Sequence, residues 1–210
     1  GFFARNAEGT YYLSGTYNQS YQGLGLHIYG ERNTVTQQAD LLSAGDGGIG
    51  VRIDGSQNTL VVPQGTRIHA QGWYGRGIQV SYGRDQNIVQ RGEVRADGQD
   101  GVGALFDFGT NANLRSDEND EYRGSWMRTI GGKNVVLPDE LKGALINNYD
   151  LTGTISGKSA AIRMSNNAWV QNIHVMQGAQ IEGDIVSAYD KFHPVDGSRM
   201  TTRLSFGQLA

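Results

Sequence analysis

The chain has 210 residues, 31 of them Gly, 3 Pro and no Cys, with 18 Lys and Arg against 21 Asp and Glu for a net charge of −3. So weak a charge, with no run of Lys or Arg, argues against a nucleic-acid partner. No stretch approaches the roughly 18 apolar residues that a membrane helix requires, and the absence of Cys excludes disulfide staples.

Aromatic residues crowd the start of the chain: Phe2, Phe3, Tyr11, Tyr12, Tyr17, Tyr21 and Tyr29. They read as packing for a preceding layer of the fold. The alternative is a binding face, where Tyr and Trp are favoured. The opening residues contain no start Met and no secretory apolar segment. The closing Leu204-Ser205-Phe206-Gly207 still alternates like a strand. Both ends therefore read as cuts through a longer protein.

From Gly25 onward a four-residue pattern recurs: a small residue, then apolar, variable, apolar. It appears as Gly25-Leu26-His27-Ile28, Gly50-Val51-Arg52-Ile53, Gly77-Ile78-Gln79-Val80, Gly103-Ala104-Leu105-Phe106 and Ala161-Ile162-Arg163-Met164. The first four copies lie 25, 27 and 26 residues apart (50−25, 77−50, 103−77). Apolar residues two apart indicate strands, whose side chains alternate between faces. The pattern places Leu26, Ile28, Val51, Ile53, Ile78, Val80, Ala104, Phe106, Ile162 and Met164 inward. His27, Arg52, Gln79, Leu105 and Arg163 then point out.

Each copy is followed by a Gly/Asn turn (30–33, 55–58, 83–87), where both residue types tolerate positive φ. A second apolar stretch comes next, at Val35, Leu60 to Val62 and Ile88-Val89. A third ends in a small residue and a turn, around Leu42, Ile68 and Val94. Three short strands and three turns per period of about 26 residues define a right-handed parallel β-helix, one all-β solenoid segment spanning residues 1–210. An antiparallel sandwich also has short alternating strands, but it does not require constant spacing.

Residues 110–140 break the period and read as an insertion loop between coils. The loop contains an acidic run and aromatics, Asp117, Glu118, Asp120, Glu121, Tyr122 and Trp126, which form a possible interaction site. Oxygen ligands there could suit Ca²⁺, but their spacing matches no Ca²⁺-loop pattern. The repeat recovers at Leu151, and Ile155 aligns with Ile181, 26 residues on.

Catalytic signatures are sparse. Gly47-Gly48-Ile49-Gly50-Val51-Arg52 has Arg where a Ca²⁺-binding β-roll needs Asp, and no Gly-x-Ser-x-Gly elbow occurs. His27, His69, His174 and His193 are scattered, and the first two read as plain surface residues. Asp190 and Asp196 flank His193 in a Pro/Gly loop. Polysaccharide cleavage needs two carboxyls within about 5–10 Å. The nearest candidates, Asp54 and Asp107, lie two rungs apart with Gln79 and Ser81 between. No catalytic residue, cofactor or metal is assigned.

Several stretches carry a resemblance: 77–83, 92–103, Phe106-Asp107-Phe108-Gly109, 155–162, Asn167-Ala168, Ile173, Met176, Gly178-Ala179 and Gly183-Asp184-Ile185. Over roughly residues 25–190 the chain resembles the passenger region of bacterial autotransporters (type V secretion). It is most similar to the stalk that follows a subtilisin-like protease domain. That resemblance implies a signal peptide, export through periplasm and outer membrane, and display at the cell surface or secretion. It also implies a C-terminal outer-membrane β-barrel in the same precursor. The stalk would be non-catalytic, since the subtilisin-type Asp, His and Gly-Thr-Ser motifs do not occur here. The expected function is scaffolding for adhesion or for a protease elsewhere in the precursor. The alternatives are an adhesin surface for host protein or glycan, and a polysaccharide-acting β-helix enzyme.

Overall fold

The computed structural model describes residues 2–4, 9–13, 16–18, 22–81, 83–107, 121–123, 127–130, 133–136, 143–166, 168–189 and 197–209. Strands, numbered in chain order, build three parallel faces. The first face stacks β1 (Phe2–Ala4), β4 (Leu24–Ile28), β7 (Ile49–Ile53), β10 (Arg76–Val80), β13 (Val102–Phe106), β19 (Ala160–Met164) and β22 (Ile185–Ser187). The second stacks β2 (Thr10–Leu13), β5 (Thr34–Gln37), β8 (Thr59–Val62), β11 (Gln86–Gln90), β17 (Ile146–Leu151), β20 (Val170–Met176) and β23 (Arg203–Gln208). The third stacks β3 (Thr16–Asn18), β6 (Leu41–Ser43), β9 (Arg67–Ala70), β12 (Glu93–Ala96), β18 (Thr154–Gly157) and β21 (Gln180–Glu182). The chain visits the faces in turn and returns to the first one rung higher. This is the parallel β-solenoid that the repeat calls for, and no helix occurs among the described residues.

The core is a set of columns. Leu26, Val51, Ile78, Ala104 and Ile162 pair in register from rung to rung, as do Ile28, Ile53, Val80, Phe106 and Met164. Nine of these ten are 0% exposed and Met164 is 3% exposed. On the third face Leu41, not Leu42, joins the inward column of Ile68 and Val94, while Leu42 faces out beside His69. A single rung could not bury its inward row. Stacking brings like residues about 4.8 Å apart, and full burial of one such side chain is worth about 1.5–3 kcal/mol.

The small residue that opens each first-face motif has a steric cause. A Cβ added to Gly77 would lie 2.5 Å from Val94 Cγ1 and 2.6 Å from the Gly103 carbonyl oxygen. The first and third faces approach so closely here that a side chain has almost no room.

The corner between the first and second faces corrects one expectation. Its Asn residues are not the ones at positive φ; those are Arg32, Gln57 and Asp85, with Gly55 and Gly83. Asn33, Asn58 and Gln86 instead form a ladder at 0% exposure. The Gly9 N–H donates to Asn33 Oδ1 (2.9 Å), the Asn33 N–H to Asn58 Oδ1 (3.0 Å), and the Asn58 N–H to Gln86 Oε1 (3.0 Å). The side-chain amide of each rung thus caps a backbone donor below it, which a buried corner must do to avoid orphaned polar groups.

The break at 110–140 falls inside one coil, at the corner between β13 and β17, rather than between coils. It contains a small antiparallel meander of β14 (Glu121–Arg123), β15 (Met127–Ile130) and β16 (Lys133–Val136). The solenoid resumes by Ile146, where β17 pairs with β11, so Leu151 closes the returning strand rather than opening it.

Candidate functional site

The outer side of the first face carries the most varied chemistry. His27, Arg52, Gln79, Leu105 and Arg163 form one outward column. Leu24, Ile49 and Arg76 form a second beside it. At the adjoining corner, between the third and first faces, the chain turns through Asp46-Gly47, Trp73-Tyr74 and Gln99-Asp100 in successive rungs. The Gly47 N–H donates to the Trp73 carbonyl (2.6 Å) and the Tyr74 N–H to the Gln99 carbonyl (2.9 Å), which stacks the corners like the strands. Gln22, Gly47, Tyr74 and Asp100 all sit at positive φ, between 51° and 66°.

This backbone fixes two exposed rings. Trp73 is 48% exposed and Tyr74 47% exposed. Their centroids are 4.6 Å apart with the planes at 75°. The Trp73 N–H donates to Asp46 Oδ1 (3.0 Å), and its indole Nε1 donates to Asp100 Oδ2 (3.1 Å). Arg76 holds its guanidinium 5.1 Å from the centroid of the Tyr74 ring and donates through Nη1 to the carbonyls of Gly75 (3.1 Å) and Asp100 (2.7 Å). Burial, then the charge of Arg163, pushes the Arg76 pKa down, opposed by Tyr74, Asp100 and Asp107.

Together these groups line an open cleft of about 610 Å³. Leu24, Ile49 and Leu105 give it apolar walls, and Gln22, Arg52, Gln79 and Arg76 give it polar ones. Two arginines and, among the described residues, no carboxylate line it. Arg52 is already engaged, its Nε 2.9 Å from Asp54 Oδ2.

His27 and His69 are not plain surface residues. His27 Nε2 lies 2.7 Å from Asp54 Oδ2, and His69 Nε2 lies 2.8 Å from Asp97 Oδ2. Stacked rungs bring residues 27 and 28 positions apart (54−27, 97−69) within hydrogen-bond reach, a proximity that sequence spacing alone does not announce. Gln79, although outward, is 8% exposed and donates to Ser81 Oγ at 2.9 Å. Asp54 is held by His27 and Arg52. Among the described residues no group of three or more His, Asp or Glu is placed to hold a metal ion.

Of the insertion residues, Asp117, Glu118, Asp120 and Trp126 lie outside the described residues, as do Asp190, His193 and Asp196. Glu121 and Tyr122 fall on β14, whose backbone pairs with Thr129 and Arg128 of β15. The cleft at Trp73 and Tyr74 was missed in the sequence. Its one signal is a pair of adjacent aromatics at a corner where neighbouring rungs place only Asp, Gly and Gln.

In comparisons with known proteins, the chain matches no family model, no curated protein and no solved structure. The fold itself assigns the class: a parallel β-solenoid.

Proposed function

We propose that this chain is a non-catalytic structural rod, the stalk segment of an autotransporter passenger that is secreted or displayed at the bacterial surface. In this reading it supports an adhesive or protease region elsewhere in the precursor, and a C-terminal outer-membrane β-barrel is its partner in export. The observation that carries the reading is the stitching of successive rungs by polar side-chain pairs on the first and third faces. His27 and Arg52 clasp Asp54 on the first face. On the third, Arg67 meets Asp40 (3.1 Å), His69 meets Asp97, and Arg95 reaches Glu182 (2.9 Å) and Ser156 (3.2 Å). An isolated exposed pair contributes about 0–1 kcal/mol, but pairs repeated along a solenoid act on every nearest-neighbour interface. Such a rod needs no disulfide, which suits a chain that crosses an oxidising compartment unfolded. Asp54, one of the two carboxylates nearest to a catalytic pair, is engaged in this stitching, which favours the scaffold over a polysaccharide-cleaving enzyme.

The test is surface labelling. Antibodies raised against this chain should stain intact cells of the source organism, and external protease should remove the signal. Staining that appears only after the cells are lysed would overturn the reading.

A further inference from the structure

From the cleft beside Trp73 and Tyr74, we infer a binding site for an acidic oligosaccharide whose sugar rings carry carboxylate groups. Three features converge. First, two aromatic rings, each about half exposed (48% and 47%), stand nearly perpendicular to each other and line the cleft together with Leu24 and Ile49. Aromatic rings grouped in an apolar-walled cleft with a few polar groups are the usual lining of a ligand site. A sugar ring has an apolar C–H face that packs on such rings and a hydroxyl edge that takes hydrogen bonds.

Second, Arg76 keeps an unused donor edge in the cleft. Arg76 donates through Nη1 to two carbonyl oxygens, and no ion pair joins it to a carboxylate among the described residues. Its Nε and Nη2 edge makes no other hydrogen bond there, and among the described residues no acidic side chain lines the cleft. A planar guanidinium edge matches the two oxygens of a carboxylate in a paired arrangement. Third, the site is pre-formed. The corner backbone is bonded rung to rung, and the indole is tied to Asp100, so little ordering is required on binding. The cleft, about 610 Å³ and open along the face, takes one or two sugar rings of a longer chain. Neutral sugars would satisfy the rings but offer no carboxylate to the Nε and Nη2 edge of Arg76. A sulfated sugar would supply charge through a tetrahedral group rather than the planar one of a carboxylate.

Binding at this cleft does not depend on the stalk reading, so either can fail alone. The test is calorimetric titration of the 210-residue chain with three oligosaccharides of equal length: an oligogalacturonate, a sulfated carrageenan oligosaccharide that carries no carboxylate, and a neutral cello-oligosaccharide. The oligogalacturonate should bind at least about tenfold more tightly than the neutral sugar. Tyr74→Gly suits the positive φ of that corner (57°), so it deletes the ring with the fold retained. It should weaken oligogalacturonate binding about tenfold. Arg76→Gln should abolish the preference for the acidic sugar. The inference is overturned if no sugar binds, if the neutral or sulfated sugar binds as tightly as the oligogalacturonate, or if both variants bind like the parent.

Discussion

Asn58→Ala attacks the corner ladder where it is most connected. The Asn58 side chain is 0% exposed. Its Oδ1 accepts the Asn33 N–H at 3.0 Å, and its Nδ2 donates to the carbonyls of Gly30 (2.8 Å) and Asp54 (3.0 Å). Truncation strips all three contacts. The Gly30 carbonyl keeps a second donor, the Ser56 N–H at 3.2 Å, but the Asn33 N–H and the Asp54 carbonyl lose the partner that the ladder supplies. Each unsatisfied buried group costs about 1–3 kcal/mol, so with two such groups the variant should lose about 2–6 kcal/mol. For a chain of this size that is a fall in Tm of about 2–4 °C per kcal/mol. Urea denaturation followed by circular dichroism reads the loss as a lower midpoint at unchanged slope. Amide exchange supplies the local readout: protection at the Asn33 N–H should fall more than at the Ile78 N–H. Gln64→Ala, at an exposed turn, is the control and should cost under about 0.5 kcal/mol. An Asn58→Ala midpoint no lower than that of the control would refute the view that buried amides hold the corners.

Val80 lies between Ile53 and Phe106 at 0% exposure, so Val80→Asp should cost several kcal/mol by burying an unpaired charge. Gln79→Asp faces outward but is covered, and its midpoint in the same melts should fall between those of Val80→Asp and a true surface change. Gly77→Ala places a methyl 2.5 Å from Val94 Cγ1 and should cost about 1–3 kcal/mol; Val94→Ala in the same chain should recover part of it, a coupling that a double-mutant cycle measures. Tyr149 is fully buried, its hydroxyl donates to Gln90 Oε1, and burial pushes its phenol pKa far above the usual range. A raised folded pKa means that this contribution is intact below the unfolded value of about 10 and is lost as pH rises beyond it. Urea midpoints should therefore fall above about pH 10, and Tyr149→Phe should flatten that decline; an unchanged slope would refute the assignment.

The solenoid was legible because its physics is periodic. Leu26, Val51, Ile78 and Ala104 recur at 25, 27 and 26 residues because each inward position must sit on its equivalent, and that requirement is written as residue spacing. The corners were read less well. Asn33 and Asn58 look like positive-φ turn residues, yet their side chains are hydrogen-bond struts, and Gln86 rather than Asn87 continues the ladder. Turn composition reports that a corner exists, not which atoms satisfy it.

The amino-acid sequence by itself determined the strand period, the inward columns and the parallel solenoid, since these follow from local alternation and constant spacing. Only the tertiary structure decided which outward side chains meet. His27 finds Asp54, and Trp73 and Tyr74 stand beside Arg76 in one cleft with Leu24 and Ile49. His27 and Asp54, like Ile49 and Arg76, come from adjoining rungs, about 4.8 Å apart in space but a full coil apart along the chain, and outward positions carry no burial constraint that would mark them in the sequence.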